Sequence, residues 1–188
     1  MIYSLKGTLT EKLLNSIVVD VDGVGYQVFL TDHEINSITS GNEVFIYTQL
    51  IISDDKHTLY GFLSLGALEL FKLLRNVNGV GPKTALNILN SGDPKSIVTA
   101  ISEADRSFFK SVKGVGPKSV LKIIVELQDR VGRLKELDLT PKSREELDII
   151  EALESMGYDR ARIETVLVDI DTKLDEKGKL QRAIKLLS

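Results

Sequence analysis

The sequence predicts a multidomain α+β protein: a small β-barrel, a helical domain built on a duplicated turn, and a terminal three-helix bundle. Three observations carry this. Five segments rich in Val, Ile, Tyr and Phe crowd the first ~60 residues. The stretch Asn78-Gly79-Val80-Gly81-Pro82-Lys83-Thr84-Ala85-Leu86 recurs as Lys113-Gly114-Val115-Gly116-Pro117-Lys118-Ser119-Val120-Leu121. The last part of the chain holds short amphipathic segments at helical spacing, set off by a polar stretch.

In residues 1–64, segments 2–7, 16–21, 24–30, 43–52 and 58–63 read as strands. Asp22-Gly23 is a strong hairpin signal. Thr31-Asp32 caps a short helix over 33–38, and Gly41-Asn42 turns the chain into the next strand. Five strands in so short a span fit a closed barrel of the OB type, an architecture used to hold nucleic acids. Between the last two strands lies Ser53-Asp54-Asp55-Lys56. Read alone it is a solvated hairpin tip, since Asp favours turns. The functional alternative is a carboxylate pair that repels phosphates and steers strands apart. Two adjacent carboxylates are too few for a metal site.

Residues 65–133 carry the duplicated turn, with Gly79 and Gly114 standing 35 positions apart. Each copy follows an apolar helical run, 71–77 or 108–112, and opens another, 85–89 or 120–127. The two glycines turn the chain tightly and admit a ligand close to the backbone. Val80 or Val115 between them points inward and pins the turn. Pro82 or Pro117 takes the first helical position, leaving unpaired amides at a helix start, which is an anion site. Lys83 or Lys118 adds a positive charge, and Thr84 or Ser119 a hydroxyl. Lys122, one turn beyond Lys118, reaches the same side. Such a clamp holds phosphates and reads no base. The pattern resembles the helix-hairpin-helix DNA-binding motif in its paired form.

Elsewhere in this segment, residues 65–77 show helical spacing, and Asp93-Pro94 restarts the chain as cap and first turn. Ser102-Glu103-Ala104-Asp105 reads as another helix start, Phe108 and Phe109 as core, and 117 to about 130 as the final helix. Residues 134–142, with Thr140-Pro141, read as a linker. In 143–188, Ser143-Arg144-Glu145-Glu146 is a capping box, and Leu147, Ile150, Leu153 and Met156 form an apolar face. Met156-Gly157-Tyr158 ends that helix with a left-handed glycine. Asp159 caps a second helix, and Leu180, Ala183, Ile184 and Leu187 mark a third. The bundle reads as a protein-docking module or as a stabilising cap.

Composition bounds the chemistry. The chain has 188 residues, 43% of them apolar, enough for buried cores. It has no cysteine, which excludes disulfides, zinc-thiolate sites and iron–sulfur clusters, and His33 with His57 makes no metal site. No Gly-x-x-x-x-Gly-Lys-Ser/Thr loop occurs, so nucleotide hydrolysis has no visible seat. Nothing reads as a signal peptide or a bilayer span, so a cytoplasmic protein is expected. The net charge of −3 hides an asymmetry. Residues 1–64 hold three Lys/Arg against eight Asp/Glu, 65–133 hold eleven against six, and 134–188 hold ten against thirteen. The basic segment is the one with both hairpins, which points to where a polyanion binds.

The order of an acidic-tipped barrel, paired Gly-Val-Gly-Pro-Lys hairpins, a linker and a Met-Gly-Tyr helical trio resembles the RuvA family along the whole chain. The opening Met1-Ile2-Tyr3-Ser4-Leu5-Lys6-Gly7 and Leu59-Tyr60-Gly61-Phe62 add to the match. These proteins are Holliday-junction-binding subunits of bacterial branch-migration complexes. The resemblance implies a homotetramer on which a four-way junction lies open, its arms held at Gly79–Gly81 and Gly114–Gly116 by their phosphates. It casts Asp54 and Asp55 as a pin at the crossover, and the C-terminal trio, similar in layout to a ubiquitin-associated domain, as the dock for RuvB. The docking residues would be Met156, Gly157 and Tyr158. RuvB is a hexameric AAA+ ATPase, so ATP is used by that motor and this chain needs no cofactor. A RuvC-type resolvase is a further candidate partner, and one tetramer or two around the DNA are both open. Rival readings are a helix-hairpin-helix glycosylase using Lys118 and Asp138, and a monomeric DNA tether indifferent to junctions.

Overall fold

A computed structural model describes residues 1–53, 56–131, 144–168, 170 and 174–187. The chain divides into two units, Met1–Thr140 and Pro141–Ser188.

In the first unit β1 (Ser4–Lys12), β2 (Ser16–Val21), β3 (Val24–Phe29), β4 (Glu43–Ser53) and β5 (Lys56–Phe62) close into a barrel in the order β1-β2-β3-β5-β4. All neighbours are antiparallel except β3 and β5, whose parallel pairing of Val28 with Leu59 and Phe29 with Tyr60 seals it. β1 runs well past the expected residue 7, because it serves two partners. Ser4 to Thr8 pair with β4, Thr8 to Lys12 pair with β2, and a register shift between Leu9 and Glu11 lets the strand bend between them. Leu9, Ile17, Val19, Val28 and Ile46 fill the interior with no exposed surface. Asp22 and Gly23 both take positive φ, 53° and 85°, the left-handed pair that a tight hairpin of matching twist requires.

The short helix α1 (Asp32–Ser37) starts with a capping box between Thr31 and Glu34. The Glu34 carboxylate is buried and accepts from the Thr31 backbone N–H, the Thr31 hydroxyl and the Leu63 N–H, at 3.2, 2.8 and 2.9 Å. Burial raises its carboxyl above the ordinary range, and those hydrogen bonds oppose the shift.

Four helices follow: α2 (Leu65–Asn76), α3 (Pro82–Leu89), α4 (Pro94–Ser102) and α5 (Pro117–Leu127). Ser64 caps α2 by accepting from the Ala67 N–H, and Asp93 caps α4 by accepting from that of Ser96. α2 packs on the outside of the barrel, where the Phe71 ring lies 5.3 Å from Tyr60 and 4.9 Å from Phe62, centroid to centroid. One core therefore runs from Tyr47 and Phe62 through all four helices. Asp32 and Asn90 add a polar tie between α1 and the end of α3, exchanging two hydrogen bonds of 2.8 Å.

Three helical expectations are corrected in this unit. Ser102 ends α4 rather than opening a helix. Ala104 is left-handed (φ 54°), its N–H donates to Ile101 and that of Asp105 to Ala100, a helix-terminating pair of bonds. The Asp105 carboxylate then accepts the Ser107 N–H and hydroxyl, so residues 106–111 form turns, not the expected helical run over 108–112. α5 closes at Leu127, and residues 128–130 are turns.

The second unit holds α6 (Arg144–Ser155), α7 (Arg160–Val168) and α8 (Glu176–Leu187) around Ile149, Ile150, Leu153, Ile163, Ala183 and Leu187. Met156, which the spacing places on the apolar face, is 56% exposed. It lies past the last turn of α6, where Gly157 (φ 92°) reverses the chain, and Ile149 takes the core place instead. The Asp159 carboxylate caps α7 through the Arg162 N–H, and Arg160 reaches Glu154 at 3.1 Å and Glu164 at 3.4 Å. The expected linker 134–142, Asp138 within it, and Ser143 of the expected capping box lie outside the described residues.

Candidate nucleic-acid interface

Each entrance is a glycine-capped helix start, with open space where the glycine's Cβ would lie. Gly81 is the N-cap of α3 and Gly116 that of α5, at φ −78° and −87°. Pro follows at the first helical position in both, and neither helix has a side-chain cap. The first helical bonds are Ala85 N–H to the Gly81 carbonyl, 2.9 Å, and Val120 N–H to the Gly116 carbonyl, 3.0 Å. The amides of Lys83, Thr84, Lys118 and Ser119 precede those bonds and meet no acceptor among the described residues. Each set of free N–H donors, at the positive dipole end of its helix, attracts an anion with several oxygens.

The turns leading in are the same object built twice. Gly79 and Gly114 take φ 88° and 85°, where an L side chain is strained. Val80 N–H donates to the Val77 carbonyl at 3.0 Å, and Val115 N–H to that of Val112 at 3.2 Å. Val80 is 5% exposed and Val115 half-buried, both against the helical core, so each valine anchors its turn as expected.

Gly81 and Gly116 are more telling. Their φ values suit any residue, and a Cβ built on either meets nothing within 4 Å. Neither the fold nor the backbone needs glycine there, and Asp or Ser would cap the helix better. What glycine keeps is open access to the amides.

The charges agree. Lys83, Lys118 and Lys122 are exposed, as is Lys113 before the second turn, and none makes an ion pair among the described residues. Lys6 and Lys72, away from the entrances, are paired with Glu43 and Glu69. Ser119 and Thr84 are half-buried. Sequence reasoning passed over Lys113 and Asn87, although Asn87 lies three positions after Thr84, where a polar side chain on α3 shares its face. Asp54 and Asp55 fall outside the described residues, and Ser53 pairs with Lys56 on either side of them. Met156 and Gly157 are exposed and Tyr158 is half-buried in the other unit. No group of three or more metal-ligating side chains occurs among the described residues, and no helix there is long and apolar enough to cross a membrane.

Comparison with known proteins agrees with both halves of this unit. The RuvA N terminal domain family matches residues 1–61, and the SAM-like helix-hairpin-helix tandem matches residues 71–129. A relative from Alkaliphilus oremlandii is 32% identical over all of this chain and 99% of its own length. Relatives from Christiangramia forsetii and Sulfurimonas denitrificans are 34% and 36% identical, covering 99% and 100% of this chain and 97% and 98% of their own lengths. Each is a Holliday junction branch migration complex subunit RuvA. With a matching barrel, matching hairpins and relatives alike from end to end, the chain belongs to the RuvA family.

Proposed function

We propose that this protein binds four-way DNA junctions by their sugar-phosphate backbones and serves, without catalysis of its own, as the junction-holding subunit of a branch-migration complex in recombination and repair. The observation that carries the reading is the pair of uncapped, glycine-fronted helix starts, one beside Lys83 and the other beside Lys113, Lys118 and Lys122, exposed lysines that make no ion pair among the described residues. Gly79, Val80, Gly81, Lys83 and Thr84 form one phosphate site, and Gly114, Val115, Gly116, Lys118, Ser119 and Lys122 the other. These groups read no base edges, so selection rests on DNA shape.

A junction has four equivalent arms, and a homotetramer presents one pair of entrances to each. Asp54 and Asp55 repel the phosphates at the centre and keep the strands apart. Directional work comes from a RuvB-type ATPase docked at Met156, Gly157 and Tyr158, with ATP spent there and the complex acting in the cytoplasm. A RuvC-type resolvase would act on the opened junction, and a second tetramer would cover its other face.

A gel shift against a synthetic four-way junction and a linear duplex of the same sequence tests this. Binding the junction at least tenfold more tightly is the expected result, and equal affinity would sink it. Abasic product from damaged duplex would favour a glycosylase instead. Replacing Asp54 and Asp55 by Asn should leave junction binding intact or tighter while altering branch migration in the presence of the motor.

A further inference from the structure

The two entrances are joined by one side chain. Asn87 of α3 donates from Nδ2 to the Lys113 carbonyl at 3.0 Å, across 26 positions of sequence. Lys113 is the residue before Gly114, so the bond holds the second turn at its root. A Cβ built on Gly114 would lie 3.6 Å from Thr84 Oγ1 and 4.0 Å from Asn87 Nδ2. Helix α3, whose start is the first entrance, therefore lies directly against the turn that leads into the second.

We propose that Asn87 is a positioning residue that fixes the offset between the two entrances, so that both engage one DNA arm together. The inference rests on the reading of the entrances as phosphate sites. Two weak sites held at a set spacing behave as one strong site, because capture of a first phosphate presents the next at high effective concentration. Variable spacing forfeits that gain. The hydrogen bond is solvent-exposed, so water replaces it at little cost in stability when the side chain is removed. Alignment is then lost while the fold is kept, which separates positioning from simple support.

The test measures junction affinity of the full chain at low salt for the parent, Asn87→Ala, Gly116→Asp and the double variant, with a thermal melt of each. Gly116→Asp silences the second entrance by placing a carboxylate on its amides, and open space around the Cβ position lets it fold. Asn87→Ala should weaken binding about fivefold in the parent, the equivalent of one modest hydrogen bond, and less than about 1.5-fold in the Gly116→Asp background. Equal losses in both backgrounds, or none in the parent, would overturn the proposal. Asn87→Leu, of similar shape but lacking the donor, should repeat the pattern should the alanine variant melt early. If the parent itself binds no junction, the reading of the site falls, and this inference with it.

Discussion

The two hairpins share a turn and little else. The first is fed by the twelve-residue helix α2, the second by a string of turns over residues 106–111. The first has Asn78 before its glycine and a single lysine at its entrance, Lys83; the second has Lys113, Lys118 and Lys122. The φ values of Gly79 and Gly114 nevertheless agree within a few degrees, those of Gly81 and Gly116 within ten, and the first helical hydrogen bonds are 2.9 and 3.0 Å. Gly-Val-Gly-Pro thus specifies the turn locally, indifferent to what precedes it. Its attraction for phosphate is set by its neighbours, and there the second hairpin has the advantage.

The strongest way to break this comparison is to close each entrance in turn. Gly81→Asp and Gly116→Asp each supply the missing N-cap, so stability should hold or rise by a few tenths of a kcal/mol. Junction affinity should fall about tenfold or more in each, and further in Gly116→Asp, which also cancels charge beside three lysines. Equal losses would mean that the flanking lysines contribute nothing. A drop in melting temperature alongside the loss would show that glycine is needed for the fold.

Such tests can be designed largely because the turn was legible in the sequence. The duplicated motif, proline at the first helical position, the Asp22-Gly23 turn and the Asp93 cap are local signals, and each stands in the structure at its expected residue. What escaped notice was non-local or ambiguous. The reach of β1 to Lys12 is decided by two partner strands. The bond from Asn87 to Lys113 joins elements that no periodicity links. The Ser-Glu-Ala-Asp stretch has the residue types of a helix start, but α4 arrives there already formed and ends at Ser102, with Ala104 in the left-handed place where a glycine usually marks such a stop.

Gly79→Ala and Gly114→Ala sharpen the claim that the turns are one object. Each forces a Cβ into the left-handed region at a cost of about 1–2 kcal/mol. The neighbours of Gly114 sit at ordinary contact distance, so no steric penalty is added there. Urea denaturation should return the same loss for both within about 0.5 kcal/mol. A much larger loss at Gly114 would show that its packing against α3 matters more than its φ.

Single lysines should act more gently. Lys83→Ala, Lys118→Ala and Lys122→Ala should each weaken junction and duplex alike. Each should also reduce the slope of log affinity against log salt by about one, the signature of one lost phosphate contact. An unchanged slope for Lys122→Ala would confine the second site to Gly114, Gly116, Lys118 and Ser119, and would narrow the difference between the hairpins.

The smallest effect concerns the chain leading into the second hairpin. Ala104 holds φ 54° at the C-terminal stop of α4, a conformation that glycine adopts without a Cβ clash. Ala104→Gly should relieve that strain, offset in part by the greater freedom of glycine in the unfolded chain, for a net gain of about 0.5 kcal/mol. Ala104 lies ten positions before Gly114, and the turn there is specified by its own residues. Junction affinity should therefore stay within twofold while the urea midpoint rises. If affinity falls although stability gains, the turns over 106–111 set the second entrance after all, and the two hairpins are not independent of what feeds them.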